Sequence, residues 1–145
     1  MKILRDTSVL VPALIPALPQ HEKAAPHLKS AFREEMSLII SSHALVECYS
    51  SLTALPMSPS ITPGQARRLI QENVAEAAGE IVEFGGEDYM NVLQRMADLG
   101  LESGAVYDAL HVQCAEEASA DEVRTFNGKD FRRMPPGGGT DLVVL

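Results

Sequence analysis

Short apolar runs alternate with stretches in which apolar residues recur every three or four positions, and this alternation predicts the elements. Lys2 to Arg5 reads as a first strand ending at Asp6. Thr7 and Ser8 then start a short helical run, which Pro12, Pro16 and Pro19 break into a loop. A helix is expected over His21 to Glu35 on the spacing of Ala24, Leu28, Ala31 and Phe32, with Pro26 as its flaw. Leu38-Ile39-Ile40 is a second strand. Ser41 or Ser42 caps a helix through Ala44, Leu45, Cys48 and Leu52. Thr62-Pro63 opens another, faced by Ala66, Leu69, Ile70 and Val74. These two helices form an αα-hairpin over residues 42–75.

The second half repeats the alternation. A third strand is expected at Glu80 to Phe84, then the Gly85-Gly86 turn. A helix follows from Glu87 to Leu99, stopped by Gly100, and another from Gly104 to Ala118. Glu122 to Phe126 is a fourth strand, Asn127-Gly128 a turn, residues 135–139 a loop, and Asp141 to Leu145 a last strand. Strands alternating with helices imply βαβ units and a short, mostly parallel sheet with helices on both faces. In such sheets ligands lie beyond the carboxyl ends of the strands.

That rule directs attention to acidic residues. Asp6 ends the first strand. Glu47 lies in the helix after the second, and Asp108 in the helix before the fourth. Asn127 and Asp130 follow the fourth. Asp6, Glu47 and Asp108 have apolar neighbours in sequence and few basic ones. A carboxylate so placed must be hydrogen-bonded, paired or bound to a cation. Hard divalent cations prefer oxygen ligands, so Mg²⁺ or Mn²⁺ would relieve the conflict. Each residue also has a plainer reading. Asp6 serves equally as a helix cap, and Glu47 as the i+4 partner of His43. Asp108 reads as a solvated helix charge and Asp130 as a turn residue. His111 reads as a satisfied core histidine, His21 and His27 as surface residues, and Glu116-Glu117 as a solvated face.

Composition changes little. The 145 residues suit one domain, residues 1–145. A charged fraction of 22% is ordinary for a globular chain. No apolar stretch is long enough to span a membrane and no signal peptide is evident, so a cytoplasmic location is the default. Cys48 and Cys114, in apolar segments without a CxxC pattern, favour neither a disulfide nor zinc. The net charge of −8 counts against a phosphate-binding surface built from Lys and Arg, unless some of the carboxylates hold a cation.

Four segments, in order, resemble the motifs of PIN-domain proteins. They are Asp6 to Val11 (DTSVLV), Ser42 to Glu47 (SHALVE), Gly104 to His111 (GAVYDALH) and Thr125 to Phe131 (TFNGKDF). The third is the specific one, and the resemblance covers essentially the whole chain. The short length and the αα-hairpin are most similar to the VapC-type toxins of toxin–antitoxin pairs. The resemblance implies a PIN-like three-layer α/β/α fold and a ribonuclease dependent on Mg²⁺ or Mn²⁺. It assigns Asp6 and Asp108 to the metal, and Glu47 to the metal or to its water. Asp130 takes the fourth acidic position, where many relatives carry aspartate in place of Asn127. Ser8 or Thr7, with Thr125, would support the site, and Lys129, Arg132 and Arg133 would meet the RNA. A cognate antitoxin and a homodimer are implied as partners.

Rival readings are weaker. A phosphoaspartyl phosphatase wants a second aspartate two residues after the first, where this chain has Ser8. A receiver domain wants a paired acidic residue and a late lysine at a strand end, and neither is evident. A PIN-like RNA-binding or regulatory module with little catalysis is the alternative that keeps the fold.

Overall fold

The computed structural model describes all 145 residues. Five strands form one sheet: β1 (Lys2–Arg5), β2 (Ser37–Ser41), β3 (Ala78–Val82), β4 (Glu122–Thr125) and β5 (Asp141–Val144). Their order is β3-β2-β1-β4-β5, and every pair is parallel. The helices are α1 (Thr7–Leu14), α2 (His21–Phe32), α3 (Ser42–Ala54), α4 (Pro63–Ile70), α5 (Gly86–Leu99), α6 (Ala105–Glu117) and the one-turn α7 (Gly128–Phe131). A π-helical turn, Gln71–Ala75, extends α4.

Strand alternation sends neighbouring side chains to opposite faces. Leu38 and Ile40 pack with α1, α2, α3 and α4 in one core. Ile39, Leu4 and Val123 pack with α5 and α6 in the other. The result is the expected three-layer α/β/α sandwich. From β1 the chain winds outward to β2 and β3, then returns across the sheet to β4 and β5. The winding reverses between β1 and β4, and a crevice opens at such a switch point.

Three expectations need correcting. Pro12 lies inside α1 and does not end it. Val9 to Leu14 are all buried there, so packing outweighs the roughly 3 kcal/mol that an interior proline costs. The helix expected to reach Glu35 stops at Phe32, where Glu34 adopts a positive φ of 56°. The third strand sits two residues earlier than expected, at Ala78–Val82. It is an edge strand whose register is set by pairing with β2, with an irregularity between Leu38 and Ile39.

Gly128 marks one close approach. A Cβ there would stand 2.7 Å from Val144 Cγ2, so α7 seats on β5 only because residue 128 lacks a side chain.

Candidate functional site

Asp6 directly follows β1, at the switch point, and is 3% exposed. It occupies the N-cap position of α1, and its carbonyl accepts the Val9 and Leu10 amides at 3.1 Å each. Its side chain does not cap the helix. The carboxylate turns toward β4: Ser8 Oγ donates to Oδ1 at 2.7 Å and Thr125 Oγ1 to Oδ2 at 2.9 Å. Backbone amides fix both hydroxyls in turn, Phe126 N–H on Ser8 Oγ at 2.9 Å and Asn127 N–H on Thr125 Oγ1 at 2.8 Å. With both hydroxyl protons spent on Asp6, the 3.2 Å contact between Ser8 and Thr125 carries no proton of its own. The plain capping reading of Asp6 therefore gives way to a carboxylate locked in one orientation.

Glu47 reaches in from α3, which starts with Ser41 Oγ accepting the Ala44 amide at 3.1 Å. Its Oε2 accepts from Thr7 Oγ1 at 2.9 Å and from His111 Nε2 at 3.0 Å, while His43 Nε2 stands 3.6 Å from Oε1. Burial alone would raise this carboxyl, but the His111 and Thr7 interactions outweigh it and hold the group below its usual range. His111 responds reciprocally: burial disfavours its charge, yet the bond and charge of Glu47 raise it. The pair is ionic. His111 is thus the positioning partner of Glu47, and its Nδ1 has no partner.

Asp108 lies in the first turn of α6. Burial pushes its carboxyl up to about 7, reinforced by the charges of Asp6, Asp130 and Glu47 and opposed by His111. Burial likewise raises Asp6; His111 and the two hydroxyls pull it back, and Glu47 pushes it further up. Asp6, Glu47 and Asp108 are therefore electrostatic neighbours, although Asp6 and Asp108 stand far apart in sequence.

Asn127 closes the fourth side. Its Nδ2 donates to Asp108 Oδ2 at 3.0 Å and to Asp130 Oδ2 at 2.9 Å, bridging the two carboxylates. Asp130 also accepts from Arg133 at 2.6 Å, and these partners hold it below its usual range. Arg133, expected to meet RNA, is thus committed to Asp130.

No group of three or more His, Cys, Asp and Glu side chains is arranged to hold a metal ion. The donor chemistry nevertheless fits a hard divalent cation. The groups are oxygen donors, and no Lys or Arg hydrogen-bonds to Asp6, Glu47 or Asp108. The raised Asp108 and Asp6 carboxyls are the mark of mutual repulsion and burial that a cation would relieve.

Residues 3–135 match the model of the PIN domain. The chain belongs to the PIN-domain family. Its VapC-type character is shown by similarity to Ribonuclease VapC27 of Mycobacterium tuberculosis. The two are 34% identical over 116 residues, covering 80% of this chain and 78% of that protein. Among solved structures, VapC20 of Mycobacterium tuberculosis, a Sarcin-Ricin loop cleaving toxin, superposes with a TM-score of 0.69 at 12% identity, covering 91% of this chain and 95% of that one. VapBC2 of Rickettsia felis, bound to a DNA fragment from their promoter, gives 0.67 at 21% identity, covering 100% of this chain and 99% of that one. At such identities these two neighbours support the fold of this PIN domain and nothing finer.

Two features escaped the sequence reading. His27, expected at the surface, is half-buried. Its Nδ1 accepts from Arg5 at 3.1 Å and from Arg124 at 3.5 Å, and Arg5 is fully buried. Glu116, expected to be solvated, pairs with Arg95 and accepts the Gly137 amide at 2.8 Å. Neither pairing has a local sequence signal, because the partners lie far apart in the chain.

Proposed function

We propose that this PIN-domain chain is a divalent-metal-dependent endoribonuclease and the toxin of a toxin–antitoxin pair. The observation that carries the reading is the gathering of Asp6, Glu47 and Asp108 at the β1/β4 switch point without a Lys or Arg bonded to any of them. The ribonuclease name of the 34%-identical relative supports the same reading. No helix is long and apolar enough to cross a membrane, in keeping with the proposed cytoplasmic role.

Asp6 and Asp108 would hold Mg²⁺ or Mn²⁺, with Glu47 beside them and Asp130 acting at the margin. What such an ion supplies is positive charge for the phosphoryl oxygens and a water of lowered pKa. The protein's own residues do the positioning. Ser8 and Thr125 aim Asp6, and Asn127 aims Asp108. Glu47, its Oε2 fixed by Thr7 and His111, presents Oε1 to orient the attacking water and accept its proton. In-line attack on phosphorus then breaks one P–O ester bond of the RNA backbone. Lys129 and Arg132, both exposed next to the site, would meet neighbouring phosphates.

The antitoxin proposal draws on the VapBC and FitAB complexes among the structural neighbours. A homodimer is proposed from exposed apolar residues on α5, Met90, Leu93 and Leu99, and on α3, Tyr49. A strict monomer by light scattering at micromolar concentration would count against it. A PIN-like RNA-binding module with little catalysis is the second reading, favoured by Asn127 at the fourth acidic position.

The test is cleavage of total RNA by the antitoxin-free protein with Mg²⁺ or Mn²⁺. EDTA, Asp6→Asn and Asp108→Asn should each abolish it. Full activity in both folded variants would sink the nuclease reading. Undiminished RNA binding without cleavage by the wild type would select the second one.

A further inference from the structure

Beside the carboxylates lies a pocket of about 460 Å³, most of whose lining the mechanism above does not use. Thr7 and Glu47 form the wall it shares with the acidic site. His43 and Tyr107 contribute the aromatic lining, and Val46, Ser50 and Ser51 of α3 complete it. The rings of His43 and Tyr107 stack nearly in parallel, with centroids 5.4 Å apart and planes 6° from each other. Tyr107 remains 50% exposed although it is large and aromatic. It immediately precedes Asp108, and His43 lies one helical turn before Glu47.

We propose that this pocket is a nucleobase subsite. It would seat one base of the RNA against the His43–Tyr107 platform, next to the phosphate presented to the acidic site. The proposal rests on the nuclease reading and adds to it where one flanking base is held.

Three observations point to a base and away from other ligands. A half-exposed tyrosine stacked on a more buried imidazole offers a flat π surface of the kind that single-stranded nucleic-acid sites use for bases. No Lys or Arg lines the pocket, and Glu47 contributes a negative wall, so a phosphate would be repelled there while a neutral base would not. The serine hydroxyls both donate and accept, so they match the mixed edge of a base. The geometry also couples the subsite to the chemistry. Tyr107 and Asp108 are consecutive residues of α6, so a base held on the ring fixes the strand relative to the Asp108 carboxylate.

The chain has no tryptophan, which makes the test direct. Tyr107→Trp places a single fluorophore in the platform. Titration of this variant, also carrying Asp6→Asn to prevent cleavage, with A, C, G and U homo-oligonucleotides in Mg²⁺ should quench its emission, with one base preferred. In the otherwise wild-type chain, Tyr107→Ala should raise KM for an oligonucleotide substrate roughly 5- to 100-fold, the cost of losing one stacked base, with kcat less affected. It should also blur the base preference beside the cut. Tyr107→Phe should restore both. Absence of quenching by every oligonucleotide overturns the subsite, whether or not the wild type cleaves RNA. An unchanged KM and cleavage pattern in folded Tyr107→Ala overturns it too. Failure of the wild type to cleave, with quenching intact, removes the nuclease reading and leaves the base site standing.

Discussion

Replacing Asp6 with Asn should remove the chemistry and strengthen the fold. The native carboxylate is almost fully buried, and its two partners are neutral hydroxyls. Burying an ion costs several kcal/mol after relaxation, and each hydrogen bond to a charged acceptor returns ~1.5–3 kcal/mol. Asparagine avoids the ionic cost and keeps neutral bonds worth ~0.5–1.5 kcal/mol each. The rearrangement it needs is small. The Asn amide donates to the second lone pair of Thr125 Oγ1, whose released proton turns to Ser8 Oγ across the existing 3.2 Å contact. Loss of repulsion with Asp108 and Glu47 adds to the gain. The net expectation is a stabilisation of about 1–2 kcal/mol, or about 3–6 °C in Tm for a domain of this size. Thermal and urea unfolding of the metal-free proteins measure it. Adding Mg²⁺ at a hundred times its dissociation constant should then raise the wild type by ~2.7 kcal/mol and the variant by much less. If metal-free Asp6→Asn is less stable than wild type by more than about 1 kcal/mol, the account of a strained buried charge is wrong. Equal Mg²⁺ shifts in both proteins would remove Asp6 from the ligand set.

Other perturbations test other parts of the molecule. Burial and the guanidiniums of Arg5 and Arg124 lower the His27 imidazole from 6.5 to about 4. Above pH 6.5 it is neutral folded and unfolded; between pH 6.5 and 4 only the unfolded chain takes the proton, so stability falls with pH in that window. The ceiling is ~3 kcal/mol, and solvent screening of a half-buried ring brings the expectation to about 1 kcal/mol. His27→Gln should flatten the urea midpoint over that window relative to wild type, and parallel curves would refute the assignment. Gly128→Ala drives a Cβ to 2.7 and 2.9 Å from the two methyls of Val144, and should cost ~1–3 kcal/mol by calorimetry. Asn127→Ala removes the bridge between Asp108 and Asp130, and should cut RNA cleavage by about tenfold or more with little change in Tm. Unaltered cleavage would mean that the bridge positions nothing.

The β-strands and helices were largely legible because the sheet is parallel and covered on both faces. Its central strands, β1 and β2, are therefore plain apolar runs. The edge strand β3 was not: the alternating burial of Ala78–Val82 is fixed by pairing with β2 and by no apolar run of its own. Pro12 misled for a related reason, since local propensity argues for a break and only the buried face of α1 argues for continuity. At the site, Asp6, Glu47 and Asp108 could be picked out by their apolar flanks, and Asp6 also by its place at a strand's carboxyl end. Their orientation could not. Asp6 binds Thr125, and Glu47 binds Thr7 and His111, through contacts between residues 40 to 119 positions apart. Whether Asn127 or Asp130 fills the fourth acidic position is a question the sequence poses; the bonds from Asn127 to both Asp108 and Asp130 could not be read there.

The hydrogen bond from Thr125 to Asp6 joins residues 119 positions apart. A ribosome makes Asp6 first and Thr125, Asn127 and Asp130 more than a hundred residues later. β4 must then slide in beside β1 before Asp6 has its second hydroxyl and Asp108 its amide brace. The acidic centre thus remains unassembled until β4 is made, and a chain arrested before β4 holds Asp6, Glu47 and Asp108 without the frame that aims them. For a protein proposed to cut RNA, the switch-point topology works as a timer: the proposed cutting centre is completed only once β4 has been made and seated beside β1.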